Sequence, residues 1–505
     1  MVDGFDEISP SYKETVIDML QVLKQTSLEQ LWVTTRPHLR GELEDNLQQL
    51  SYTLQHFSET EQVEFLKKFW LQNSNLEHEN EHCLEIYATA LIRKLAQSIS
   101  DKDIEFTSIP LQTRMLAEAF EEEFRLFYVS KKPEPELPQK LDLLGLYRRV
   151  IDRKYDIFFT EKSKLEQSNI RAERIKERDL KNIQLEHQLL AFEALFPGDQ
   201  VTFLQSYDST TFPDEELAMI GISQRKKEGK PQFIHRTFAE YFVADFLLNQ
   251  LTKKTEQNAQ VKELLLNEVL LENDCHVIRA FLNGLLGNSK PSTEALKEYG
   301  DLLNKKRNKE EVQGPILILN TLNVAAAENN NLIIRFLLES LKTGEHSNAL
   351  KWMLLETDIY GQRVFDVAVE EGHINVLDTL WIWAKAQLNP HELKNEFLLG
   401  KDDIERKTAW HWAATMGRVE VLVRLWEFAK ELRLKKEELK NEVLLSKDSL
   451  NNTAWHMAAE MGEIQVLEKL WEWAKELQLK PEELRNEVLL SKDNLNNTAW
   501  HMAAK

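Results

Sequence analysis

The heptad Thr-Ala-Trp-His-x-Ala-Ala begins at Thr408, again at Thr453 and again at Thr498, 45 residues apart each time. Degenerate copies start at Arg363 (RVFDVAV) and at Thr321 (TLNVAAA). A repeat of this period limits the fold more than any other feature of the chain. One unit cannot bury its own apolar face, so units must stack on their neighbours in a one-dimensional array. The array is expected over 314–505. Gly372, Gly417 and Gly462 follow three of the copies at constant spacing, and Asn330 stands in the first. Gly or Asn there suits a left-handed helix cap. A second helix follows, as in EIQVLEKLWEWAKEL, whose Ile464, Leu467, Leu470, Trp471 and Ala474 fall on one side. A third segment, PEELRNEVLL, and a polar hairpin, SKDNLNN, complete the unit.

The pattern TxxHxAAxxGxxxxLxxL resembles the ankyrin repeat. Its Ala-Ala pair lets two helices approach closely. Its threonine can satisfy helix-start N–H groups and bond the histidine three residues on. His411, His456 and His501 are therefore read as structural, and Trp455, Trp471 and Trp473 as core rather than a ligand box. The chain departs from the family in three ways. Ala-Trp replaces the usual Pro-Leu, the period is 45 instead of about 33, and Asn-Asn replaces the hairpin glycine. The extra length is expected to add a short helix per repeat. By the resemblance, the repeats bind a protein partner, although the added segment leaves open whether they use the ordinary ankyrin groove.

The other end opens on an acidic cluster, Asp3, Asp6 and Glu7. After a helix expected over 12–24, the apolar run Leu31-Trp32-Val33 ends on Thr34-Thr35-Arg36-Pro37. Carboxylates after one strand and an arginine after the next suit Mg²⁺-nucleotide chemistry. An acidic loop and a surface arginine is the plainer reading. Further on, Pro110 opens an amphipathic segment, which is ordinary helix initiation on its own. Residues 131–140 are Pro-rich and read as a linker. The stretch 221–248 reads as a hairpin, turning at Glu228-Gly229-Lys230-Pro231, and then a helix with His235 at its start. A histidine there either caps the helix or joins its N–H groups in holding an anion. His276 beside Cys275 lacks the partners of a metal site, so burial is expected for the pair. The basic run 305–309 reads as a solvated helix face.

DGFDE, TTRP, SIPL and the FxHxTFxEYFxA wording, in that order, resemble the C-terminal part of a NACHT domain, a STAND-class NTPase module of NOD-like-receptor type. The resemblance covers about residues 1–250. It implies that Asp3 helps hold Mg²⁺, that Asp6 or Glu7 orients the attacking water, and that Arg36 senses the terminal phosphate. It implies that Pro110 lies on the adenine and that His235 contacts the β-phosphate. The expected fold class is mostly α: a truncated α/β NACHT core with helical and winged-helix subdomains, followed by an α-solenoid of ankyrin-like repeats. The expected divisions are 1–100 for the nucleotide-binding core, 101–140 for a helical subdomain, 141–250 for a winged-helix-like subdomain and 251–313 for a helical linker, ahead of the repeats at 314–505.

No GxxxxGK[ST] occurs in the sequence. The Walker B and sensor 1 residues alone cannot clamp a triphosphate, so Asp6 and Glu7 are read as vestigial and no NTPase activity is expected. Both ends are expected to be cut, one inside Walker B and one inside a repeat. No cofactor is expected for this chain; ATP or ADP with Mg²⁺ belongs to a full-length NACHT protein. The expected function is a protein-interaction or signalling protein resembling a NACHT–ankyrin switch, with homo-oligomerisation through the NACHT region left open. The alternatives are a nucleotide-independent ankyrin-repeat scaffold and an ATPase whose P-loop comes from upstream sequence. A net charge of −20 argues against nucleic-acid binding. Two cysteines, Cys83 and Cys275, suit a reducing compartment. No apolar run approaches the ~20 residues of a membrane helix and no signal peptide is evident, so the cytoplasm is expected and a membrane is not.

Overall fold

The computed structural model describes the chain except residues 1–12, 27–30, 32, 34–39, 50–56, 74–80, 99–109, 131–133, 139–141, 163–169, 208–211, 226–229, 253–258, 308–312 and 505. Among the described residues the fold is mostly helical, 73% helix and 1% strand, which makes helix packing the source of its order. Two compact units divide between Asp142 and Leu143. That division falls at the end of the Pro-rich stretch.

The first unit holds helices α1 (Lys13–Lys24), α2 (Arg40–Leu47), α3 (Glu59–Asn73), α4 (Glu81–Ser98), α5 (Pro110–Ala119) and α6 (Glu121–Ser130). The sequence Ser58-x-x-Glu61 starts α3 as a capping box. The Ser58 N–H donates to Glu61 Oε2 at 2.8 Å, and the Glu61 N–H donates back to Ser58 Oγ at 3.3 Å. Helix α3 packs on α4 and α5 through Leu66, Trp70, Tyr87, Leu91 and Leu116, all buried. Trp70 stacks on Phe124 of α6 with ring centroids 4.5 Å apart, and its indole N–H donates to the Ala117 carbonyl at 2.9 Å. Of the strand expected at 31–35, only Leu31 and Val33 are among the described residues.

The second unit begins with α7 (Leu143–Ile157), α8 (Ile170–Leu195), α9 (Asp214–Ile220), a two-stranded antiparallel sheet of β1 (Ser223–Gln224) and β2 (Gln232–Phe233), and α10 (Arg236–Thr252). Helix α10 is apolar all round because α8 covers one side and α12 (His276–Leu286) the other. Between α10 and α12 lies α11 (Ala259–Leu264), which runs into a π-helical turn at Leu265–Val269. Helix α13 (Thr293–Arg307) crosses α15 (Asn331–Thr343) at Gly300, where an added Cβ would sit 2.1 Å from the Ser340 carbonyl oxygen. The basic run does not behave as a solvated face throughout: Lys306 is buried and donates to Glu263 at 2.8 Å and to Asn267 at 2.6 Å. Of the His-Cys pair, Cys275 is buried and His276 is exposed, because the 3₁₀ turn Asn273–Cys275 delivers His276 to the solvent side of α12.

The repeats contribute a first helix each, α14 (Gln313–Ala327), α17 (Val364–Glu371), α19 (Ala409–Thr415), α21 (Ala454–Met461) and α23 (Ala499–Met502). Each packs on the next, and Ala368, Ala413, Ala414, Ala458 and Ala459 are buried where they meet. The second helices are α15, α18 (Ile374–Gln387), α20 (Val419–Glu431) and α22 (Ile464–Glu476). Between successive second helices Trp381 stacks on Phe428 at 4.4 Å and Trp426 on Trp473 at 4.5 Å. Of the stripe expected on α22, Leu470 and Ala474 are buried, joined by Val466 and Trp473, whereas Leu467 and Trp471 are half-buried and Ile464 is 68% exposed. The expected face, with Leu467 and Trp471, corresponds to Leu422 and Trp426 of α20. Those are buried because α22 lies on them, and no described helix lies on α22 in the same way.

The third segment is α16 (Ser347–Leu355) in the first repeat and, in later repeats, a π-helical turn at Glu392–Leu398, Leu439–Leu444 and Leu484–Leu489. The same Asn-Glu-[Val/Phe] wording marks the π turn at 265–269, upstream of the repeats recognised from the heptads. Lysines and glutamates tie these segments in one direction. Lys351 pairs with Glu392, Lys394 with Glu438 and Lys440 with Glu483. On the second helices Lys385 pairs with Glu431 and Lys430 with Glu476.

Candidate functional site

Of the residues expected to bind nucleotide, Asp3, Asp6, Glu7 and Arg36 lie outside the described residues. Pro110 is the first residue of α5, and its side chain lies outside them too. His235 sits just before α10. Its Nδ1 accepts the Thr237 N–H at 3.2 Å and lies 2.8 Å from Thr237 Oγ1, which also bonds the buried Tyr147 hydroxyl. The imidazole therefore closes the N-terminus of its own helix. Arg236 is held by Glu240 at 2.9 Å. Nearby, burial pushes the Cys275 thiol up to about 11, so it is an inert thiol. In the first unit an open groove of about 580 Å³ runs between α4 and the extended stretch Glu134–Leu137, with His82, Glu85 and Arg93 on its walls.

The most regular exposed feature is the row of turns that end each repeat. Each turn starts from an aspartate whose carboxylate folds the backbone over itself. Asp358 Oδ1 accepts the N–H groups of Tyr360 and Gln362 at 2.9 and 3.0 Å. Asp402 accepts those of Ile404, Glu405 and Lys407 at 3.2, 2.6 and 3.0 Å. Asp448 accepts those of Leu450 and Asn452 at 2.8 and 2.7 Å. Asp493 accepts those of Leu495 and Asn497 at 2.8 and 2.7 Å. One residue per turn is left-handed: Gly361, Arg406, Asn451 and Asn496. Asn tolerates that conformation better than other non-glycine residues, which is how Asn-Asn replaces the glycine.

The same geometry projects one apolar side chain per turn, two residues after the aspartate. These are Tyr360, Ile404, Leu450 and Leu495, which are 68%, 62%, 60% and 77% exposed. Adjacent turns touch. Thr357 Oγ1 donates to Asp403 at 2.7 Å, the Ser449 N–H donates to the Glu405 carbonyl at 2.8 Å, and the Asn494 N–H donates to the Leu450 carbonyl at 3.0 Å. The result is a continuous edge of four rungs.

Each turn is also anchored by the first helix, or the cap, of the preceding unit. Asn323 donates to Asp358 at 2.9 Å. Arg363, buried and paired with Asp366 at 2.8 Å, donates to the carbonyls of Glu396, Phe397 and Gly400. His411 Nε2–H donates to the Asn452 carbonyl at 3.1 Å, and His456 Nε2–H to the Ser491 carbonyl at 2.9 Å. With the proton on Nε2, each Nδ1 is an acceptor. It takes the N–H of Thr408 at 3.1 Å and of Thr453 at 3.2 Å, and each hydroxyl lies within 2.9 Å of it. Burial lowers the His411 imidazole to about 4 and lowers that of His456 as well. Both rings are therefore neutral at neutral pH, as the paired bonds require.

The threonine–histidine pair was expected from the sequence; the apolar rungs were not. Their signal was available, a hydrophobic residue two places after each turn aspartate. Against three polar neighbours it reads as a solvated loop. A scan against protein-family models found no match, and a search of curated proteins found none either.

Proposed function

We propose that this chain is a protein-interaction protein, a NACHT-like C-terminal portion joined to ankyrin-like repeats, and that it docks a partner on the edge formed by its repeat turns. The observation that carries this reading is the ladder of Tyr360, Ile404, Leu450 and Leu495, exposed side chains held in equivalent positions by equivalent aspartates. Contiguous exposed apolar groups rimmed by polar ones mark interaction surfaces. Hydrogen-bonded turns present them with little entropy left to lose on binding. The chain acts on this reading without turning over nucleotide. In support, His235 already gives its Nδ1 to its own helix, and the sequence carries no phosphate-cradling GxxxxGK[ST] loop. Cytoplasmic residence and self-association through the NACHT-like region belong to the same proposal.

The test is to pan a displayed random-peptide library on the full chain. Enriched peptides should lose binding to Ile404→Ser/Leu450→Ser/Leu495→Ser while the melting temperature stays unchanged. Retained binding would remove the turn edge as the docking site. Calorimetry with Mg-ADP should give no binding at micromolar affinity or tighter; a tight isotherm would favour the nucleotide-gated alternative.

A further inference from the structure

The charges around the four rungs are not balanced at the surface. The turn aspartates Asp402, Asp448 and Asp493 are buried, and each accepts two or three backbone N–H groups. Among the exposed carboxylates of the turns, Glu405 is paired with Lys407, while Asp403 accepts the neutral Thr357 hydroxyl and keeps its charge at the far end of the edge from Lys447 and Lys492. The exposed cations Arg406, Lys447 and Lys492 make no ion pair with any described residue. Lys401, at the position equivalent to Lys447 and Lys492, gives its ammonium to the Lys447 carbonyl at 2.6 Å instead of to a carboxylate. Its pKa is lowered by burial first and by Arg406 second, against opposing pulls from Glu442 and Asp448. On a chain of net charge −20, this edge sets three exposed cations without a salt-bridge partner among the described residues beside ordered apolar side chains, while the turn aspartates hold their charge inward on backbone N–H groups.

We propose that the partner of the turn edge is an acidic protein segment carrying apolar side chains, which seat on Ile404, Leu450 and Leu495 while its carboxylates meet Arg406, Lys447 and Lys492. This rests on the docking reading above and narrows it to one chemistry. Opposite charges beside an apolar contact choose the partner and speed its arrival more than they tighten it. A basic segment, or the same edge of a second copy, is disfavoured by this arrangement.

The probes are three short fluorescent peptides of equal length: alternating Glu or Asp with Leu or Phe, the same peptide with Lys in place of each acid, and an acidic peptide with Ser in place of each apolar residue. Anisotropy is read on the full chain. The acidic apolar peptide should bind at least about tenfold more tightly than the other two, a difference of about 1.4 kcal/mol. Its affinity should fall as salt rises from about 0.1 M to about 1 M, where the screening length shrinks from about 10 to about 3 Å. Lys447→Glu/Lys492→Glu should invert the preference towards the basic peptide, and Leu450→Ser/Leu495→Ser should weaken both apolar peptides. If the acidic preference is absent but the serine variant still loses binding, the charge inference falls and the docking reading stands. If the basic peptide wins on the unaltered chain, the inference is overturned. If no apolar peptide binds, or neither variant changes binding, both fall together.

Discussion

His411 hands its one proton forward to the Asn452 carbonyl and takes the Thr408 N–H on its other nitrogen. A second proton would displace that N–H and charge a ring with no exposed surface. The sign of the resulting pH dependence follows. The folded pKa, about 4, lies below the unfolded 6.5. The unfolded chain therefore takes up the proton first, and the stability present above pH 6.5 is lost as pH falls towards 4. The full effect is about 3 kcal/mol. His187, buried and also held at about 4 by burial, acts in the same direction. Thermal melts should be flat above pH 6.5 and fall below it, with a shallower slope in His411→Gln. A chain equally stable at pH 5 and pH 7 would contradict the assignment. Thr453→Ala should cost about 1 kcal/mol as a lost cap. The tryptophans separate by burial. Trp410 is fully enclosed, so Trp410→Ala should cost roughly 3–5 kcal/mol. Trp455 is half-buried beside Trp471, with ring centroids 6.3 Å apart, and its loss should cost less in urea melts. The role of Thr453 and His456 was legible because it is local, a three-residue spacing at a helix start. The burial of Arg279 was not. Nothing near it in sequence announces that Glu328 and the carbonyls of Val269 and Glu272 will surround it.

At the scale of elements, helices and their spacing were readable from periodicity and glycine positions, but the depth of packing was not. Gly300 looks like a helix fault in the sequence. In the fold it is where α13 and α15 meet closely enough that a methyl group would overlap the Ser340 backbone. Gly300→Ala should force the helices apart at about 1–3 kcal/mol or more. Gly462 makes the control. Its φ is +74° but nothing lies within 4 Å of an added Cβ, so Gly462→Ala should cost only the left-handed strain, about 1–2 kcal/mol. Denaturant midpoints showing Gly462→Ala as the worse of the two would mean the crossing is looser than described. The π turns were hidden for a different reason. Leu-x-Asn-Glu-Val-Leu fits an α-helix as well as a π-helix, since one extra residue in a single turn does not disturb an apolar pattern that short.

Along the repeats, contacts reach mainly the nearest neighbour, so stability is gathered locally. Where the array begins then becomes measurable. Arg279 of α12 is paired with Glu328, and Asn283 accepts the N–H groups of Leu332 and Ile333 at the start of α15, at 2.8 and 3.3 Å. A fragment 314–505 should fold cooperatively and be helical by circular dichroism. A fragment 260–505 should melt higher, because only it supplies those partners. Equal melting temperatures would make α11 and α12 mere tethers.

The forward-pointing pairs carry a consequence for inheritance. Lys394 reaches Glu438, and 45 residues later Glu483 offers the same carboxylate to Lys440. Trp381 meets Phe428, and Trp426 meets Trp473 at the matching place. Excise residues 408–452, and Lys407 is spliced to Thr453 with these pairs re-formed in kind: Lys394 opposite Glu483, Lys385 opposite Glu476, Trp381 opposite Trp473. A gene encoding such an array can gain or lose a whole cassette by unequal crossing-over without inventing an interface, provided the cassette keeps its orientation.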